Sequence, residues 1–291
     1  MKINFLLIIL IVLCSCANKD SKQSSNNLAT TDKSLVLKEE TIINIKDTLG
    51  PELIIAVKDS NYILAKSLIE KNANVNYKKD TFNFKTALMI AVENSSIEMM
   101  KLLLDNGADP NLYAFNFAVF THEPIEYAVS SGNIESIELL IKYGARNLDL
   151  AMSTAFYHKN IEIVKYLSEK GVKFKKEYLH TESLDLIKLV IESGIDPDAY
   201  WEGDELVAVF PKLFDAVLHG DTLMIRFLLE AGANPDLELS EHDINDFGST
   251  EKKSPKIIAR KYLDKYRDKN SADTILYLRI IEMLESAEFS K

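Results

Sequence analysis

Apolar residues recur at helical spacing in short paired blocks along most of this chain. In SIEMMKLLLDN (96–106), Ile97, Met100, Leu103 and Leu104 share one side of a helix, while Glu98, Lys101 and Asp105 take the wet side. A shorter apolar block, TALMIAVEN (86–94), precedes it, and the pairing repeats as PIEYAVSSG (124–132) and NIESIELLIKY (133–143). Each second block runs into glycine or asparagine, at positions 72, 107, 144, 171, 194 and 232. A residue just past a helix end commonly turns left-handed, which glycine does freely and asparagine tolerates. The pattern therefore predicts a row of helical hairpins. Spacings of 35, 37 and 38 residues leave room for two helices and an extended connection, whereas 27 and 23 leave room for the helices only.

Proline placement agrees. Three of the seven prolines sit three residues after a turn glycine, in GADPN, GIDPD and GANPD; Pro51, Pro124, Pro211 and Pro255 each precede an apolar run. A first helical turn tolerates proline because the missing N–H has no partner there in any case. Five of the ten glycines fill the post-helix slot, and Gly132 and Gly220 lie between paired helices. The remaining Gly50, Gly203 and Gly248 cannot form a phosphate-cradling loop.

The copies MMKLLLDNGADPN, SIELLIKYGARN and MIRFLLEAGANPD, with weaker ones at 65–76, 163–174 and 186–198, resemble the ankyrin repeat, whose period is about 33 residues with a T-P-L-H opening. Thr86-Ala87-Leu88-Met89 keeps the Thr and Leu of that opening, and Glu123-Pro124-Ile125-Glu126 keeps the Pro. The resemblance covers roughly residues 50–287. It implies an all-α ankyrin-repeat solenoid of about six to seven degenerate helix-pair repeats with β-finger connections.

The resemblance also implies a binding face, formed by the fingers and adjoining first helices. The connections YKKDTFNFK (77–85), LYAFNFAVFTH (112–122) and YWEGDELVAVF (200–210) are long and aromatic. Alternation at Phe82 and Phe84, and at Phe115, Phe117 and Val119, predicts two-stranded fingers. Phe117, Val119, Phe120 and Phe210 directly precede helices and are expected to cover them. Tyr77, Phe82, Tyr113, Phe115, Tyr200, Trp201 and Glu202 are the candidate partner contacts, since tyrosine and tryptophan give large contact area at low entropy cost.

The N-terminus supplies an address. MKINFLLIILIVLCSC has one positive charge and an apolar run from Phe5 to Leu13, shorter than the ~20 residues a membrane span needs. Leu13-Cys14-Ser15-Cys16 resembles a bacterial lipobox, implying removal of 1–15 and lipidation of Cys16. Cys14 then leaves with the signal, so the chain enters an oxidising compartment without disulfides. Two or more acyl chains anchor stably, unlike one. ANKDSKQSSNNLATTDKS (17–34) reads as a disordered tether, and LVLKEETIINIK (35–46) as a strand or a helix capping the first repeat. Ala17 after the lipidated cysteine resembles lipoproteins forwarded to an outer membrane. The expected division is 1–15 signal, 16–49 lipidated cysteine and tether, 50–253 repeats and 254–291 a capping helix pair.

Charge and chemistry narrow the function. The chain carries 34 basic and 44 acidic residues, a formal net charge of −10. That opposes nucleic-acid binding and is compatible with a basic protein partner. The basic stretch 251–269 reads mainly as the polar outside of a terminal repeat, with Ser254-Pro255 as its helix start. The five histidines show no HExxH pattern; His158 and His219 precede tight inter-helix turns, where an imidazole can satisfy backbone groups. Asp236, Glu238, Glu241, Asp243 and Asp246 could coordinate calcium loosely, as the grafted metal site of an enzyme subunit, but they lack the oxygen spacing and internal glycine of a calcium loop. The sequence therefore points to a monomeric, non-enzymatic scaffold without metal or cofactor, tethered in the bacterial envelope and binding a protein. The alternative is an immunity or protector protein that occludes a secreted toxin or stabilises a periplasmic enzyme.

Overall fold

The computed structural model describes residues 48–78, 85–115, 121–200, 210–239, 253–266 and 272–287. Helices come in pairs: α1 (48–58) and α2 (Tyr62–Glu70), α3 (Ala87–Glu93) and α4 (Ile97–Asp105), α5 (Pro124–Ser130) and α6 (Ile134–Lys142), α7 (Leu148–Tyr157) and α8 (Ile161–Glu169). A 3-10 helix (Lys176–His180) then precedes α9 (Leu184–Glu192). Two further pairs follow, α10 (Lys212–His219) with α11 (Thr222–Glu230) and α12 (Pro255–Tyr266) with α13 (Ala272–Ser286). Between α4 and α5, the two-residue strands β1 (Ala114–Phe115) and β2 (Thr121–His122) pair antiparallel.

First helices pack beside first helices, with α3 against α5, α5 against α7 and α10 against α12; second helices stack likewise, with α4 against α6 and α11 against α13. One apolar core runs through the stack, from Leu53 and Leu68 through Leu103, Leu140, Ile163 and Ile187 to Leu228 and Ile280. Second helices start where a side chain caps them. Asn61, Asn133, Asn160, Ser183 and Asp221 accept from the amides of Leu64, Ser136, Ile163, Leu186 and Met224, satisfying donors the helix cannot.

All six post-helix slots turn left-handed, with φ of 64° at Asn72 and 86–97° at Gly107, Gly144, Gly171, Gly194 and Gly232. At five of them the next residue closes the turn, as when the Ala108 amide donates to Leu103 O at 3.0 Å. Four residues past the turn, a side chain stitches onto the next turn. Asn76 donates to Gly107 O (2.8 Å) and accepts from the Asp109 amide (2.8 Å). Asn111 repeats this with Gly144 O (3.0 Å) and the Arg146 amide (2.9 Å), and Asp198 accepts from the Asn234 amide. The equivalent positions after Gly144 and Gly171 hold Leu148 and Lys175.

The 27-residue spacing does hold two helices, α7 and α8. The 23-residue spacing does not: its first helix is reduced to the 3-10 turn Lys176–His180. Residues 172–183 must climb from one turn to the next helix, and Val172, Tyr178 and Leu179 among them are buried. Pro124 opens α5 and Pro255 opens α12, whereas Pro211 sits one residue before α10, at its N-cap.

Candidate protein-binding face

Polar and aromatic contacts link the bases of the first two fingers and brace the first helices α3 and α5 beside them. Lys78 ties the first two fingers together: its Nζ donates to Tyr113 O at 2.8 Å and lies 4.4 Å from the Tyr113 ring. Tyr113 remains exposed at 40%. Tyr77 is half-buried, with its ring lying where a Gly50 side chain would stand, 2.3 Å from that Cβ position. It therefore packs on α1 in addition to bordering the finger. Phe115 pairs through its backbone with Thr121, and Tyr200 is half-buried at the start of the third finger. Cys16, Phe82, Phe84, Phe117, Val119, Phe120, Trp201 and Glu202, the segments 17–34 and 35–46, and Glu241, Asp243 and Asp246 lie outside the described residues. Phe210 is half-buried and stacks on Phe214 with ring centres 6.3 Å apart, covering α10 as expected.

Behind the fingers, ionic contacts fix the ends of α3 and α5. Lys85 Nζ pairs with Glu93 at 2.7 Å and lies 4.9 Å from the Tyr127 ring. Glu126 accepts from the Glu123 amide at 2.7 Å and lies 3.3 Å from His122 Nδ1. Burial, with the carboxylates of Glu93 and Glu126 adding to it, raises the Tyr127 hydroxyl above its ordinary pKa. This lattice holds a surface in shape. It sets no nucleophile beside a base.

Farther along, Phe156 stacks on Tyr178 at 4.2 Å, and Ser153 Oγ and the Tyr178 hydroxyl are 3.2 Å apart. Lys175 reaches back to Asp149 at 2.9 Å, and that hydrogen bond raises the lysine's pKa. On α10, Lys212 is buried and pairs with Asp215 at 2.6 Å. His219 Nδ1 lies 2.9 Å from Asp215 O, so it does meet a backbone carbonyl, while His158 Nε2 meets Ser130 Oγ at 3.1 Å. Sequence reasoning missed this stretch because its members are scattered singly over four repeats. The repeat register alone could have aligned them.

Among the described residues, no three His, Cys, Asp or Glu side chains are placed to hold a metal, and no helix is long and apolar enough to cross a membrane. Asp236 accepts from Lys256 Nζ at 2.8 Å.

Successive helical hairpins, joined side by side through one core, make the molecule an all-α repeat solenoid. Its fold is that of ankyrin-repeat solenoids, and the family model described as ankyrin repeats (3 copies) matches residues 23–114 and 53–150. An ankyrin repeat protein of Rickettsia bellii (strain RML369-C) is 34% identical over 176 residues, covering 56% of this chain and 47% of that protein. One from Acanthamoeba polyphaga mimivirus is 28% identical over 214 residues, covering 60% of this chain and 28% of that protein. The chain thus spans less than half the length of these curated relatives. The crystal structure of the ankyrin repeat domain of Bcl-3 superposes with a TM-score of 0.58 at 18% identity, over 80% of this chain and 97% of that one. Ankyrin repeats mediate protein–protein interaction, and such scaffolds are generally non-catalytic.

Proposed function

We propose that this chain is a lipid-anchored ankyrin scaffold of the bacterial envelope that binds a protein partner and performs no catalysis. The preformed surface of finger bases and first helices carries the reading. Lys78, Lys85 and the Glu123–Glu126 contact already fix its shape, so little has to be ordered on association. Tyr77, Phe82, Tyr113, Phe115, Tyr200, Trp201 and Glu202 are the proposed partner contacts, chosen from the aromatic connections of the sequence. The net charge of −10 favours a basic partner. Leu13-Cys14-Ser15-Cys16 supports the anchor, with Cys16 as the acylated residue, and Ala17 supports the outer membrane as destination.

Growth of a bacterial host expressing the full chain with an alkyne-bearing palmitate analogue tests the anchor. Labelling and membrane fractionation are expected for the wild type and lost in Cys16→Ser; equal labelling of both proteins refutes it. Cross-linking in intact cells, followed by affinity purification and mass spectrometry, tests the scaffold. One stoichiometric partner is expected, weakened by combined Tyr113→Ala and Trp201→Ala substitution with unchanged melting. Recovery of the same partner by the double variant refutes this face.

A further inference from the structure

Where the fifth repeat loses its first helix, the wall beside α7 opens. A hollow of about 380 Å³ lies there, lined by Phe156, Tyr157, Lys159, Glu177, Tyr178 and Glu182 among others. That volume is within the range of sites that hold a ligand group. The stacked pair Phe156 and Tyr178, both buried, forms its floor. Tyr157 stands at its edge with 82% of its surface exposed, the ring braced edge-on by His158 at 5.2 Å. Lys159 and Glu182 join at 2.8 Å from the two facing turns. Glu177 makes no hydrogen bond or ion pair among the described residues. Among the residues lining the hollow, two carboxylates thus face one ammonium, and their balance is negative. Partial burial and the nearby Lys212 ammonium hold His180 below the usual histidine range, so it adds no positive charge near pH 7.

Resting on the scaffold reading above, we propose that this hollow receives an arginine side chain of the protein partner, stacked on Tyr157 and paired with Glu177. An exposed aromatic face beside a free carboxylate suits a cation, and guanidinium suits it better than ammonium. It is planar, weakly hydrated, stacks on rings and donates in parallel to a carboxylate. Lysine's compact, strongly hydrated charge loses more on leaving water. An anionic group would meet the unbalanced carboxylate, and a purely apolar one would strand Glu177.

Saturation-transfer NMR of the detergent-solubilised full chain with N-acetyl-arginine amide provides the test. The arginine Cδ protons are expected to receive saturation at least about fivefold above those of the citrulline analogue, which has the same shape without charge. Glu177→Gln and Tyr157→Ala, both at exposed positions and so harmless to the core, should each remove that selectivity. Glu98→Gln on α4 should leave it intact. Equal saturation of arginine and citrulline, or selectivity that survives both hollow variants, overturns the site. If the wild type still captures a stoichiometric partner in that event, the scaffold reading stands without it.

Discussion

The stitch made by Asn111 offers a direct measure of how much neighbouring repeats stabilise one another. Its carboxamide spans two repeats, donating to Gly144 O at 3.0 Å and accepting from the Arg146 amide at 2.9 Å. Removing it in Asn111→Ala returns one carbonyl and one N–H to water, because all of these groups lie near the surface. A net hydrogen bond contributes roughly 0.5–1.5 kcal/mol, and exposure favours the lower half of that range. The pair should therefore be worth about 1–2 kcal/mol. Asn111→Asp keeps the acceptor and loses the donor, so about half the loss is expected. Urea unfolding of the full chain, followed by far-ultraviolet circular dichroism, reads the stability. Native-state hydrogen exchange at the Arg146 amide reads the contact itself, and its protection should fall in Asn111→Ala. A change below about 0.5 kcal/mol, the ordinary effect of a surface substitution, together with unchanged Arg146 protection, would refute the stitch as a stabilising device.

Three further outcomes are expected. Leu103 is fully buried between α4 and its neighbours, so Leu103→Asp should unfold at least the first repeats; an unchanged thermal melt would show the register to be wrong. Ser95 is held at φ 51° between α3 and α4, and Ser95→Gly should raise stability by roughly 0.5–1 kcal/mol; a lower urea midpoint contradicts the strain. Burial, with Tyr262 and Tyr266 adding to it, pushes the Tyr277 hydroxyl up to about 12 from 10. A folded-state pKa above the unfolded one contributes fully below pH 10, and the contribution fades as pH rises from 10 through 12, by up to about 3 kcal/mol. Tyr277→Phe should flatten that part of the stability profile, and a wild-type-like slope in the variant contradicts this assignment.

The parts of the fold that were legible in sequence are those where backbone geometry restricts residue choice. A left-handed residue must follow each second helix, and Asn72, Gly107, Gly144, Gly171, Gly194 and Gly232 advertise it. The matching turn between paired helices is less visible. Gly132 and Gly220 mark two copies, but Ser60, Ser95 and Lys159 enter the same left-handed region, at φ of 51–54°, without a glycine. There the packed helices on either side dictate the turn against local preference. The finger pairing at Ala114–Phe115 followed from alternation, whereas the roles of Tyr157, Glu177 and Glu182 did not. Those residues are unremarkable in their own segments and meet only because neighbouring turns are brought together.

Contraction of the fourth and fifth repeats links the missing stitches to the hollow. A repeat stack gains stability only from adjacent units. After Gly144 and Gly171 the stitching residue is replaced by Leu148 and Lys175, because α7 begins at once after the first turn and the 3-10 segment follows the second. No finger fits in either interval. The core compensates in part: Phe156, Tyr178, Leu179, Ile187 and Val190 are all buried, and Phe174 meets Phe156 edge-on at 6.1 Å. What the core does not restore is the outer side of a full first helix. A five-residue 3-10 turn covers less of α7 than a two-turn helix would, and Tyr157 is left standing at the gap. The shortened spacing legible in the sequence and the exposed aromatic of the structure are thus one event, and lengthening that repeat should close the hollow.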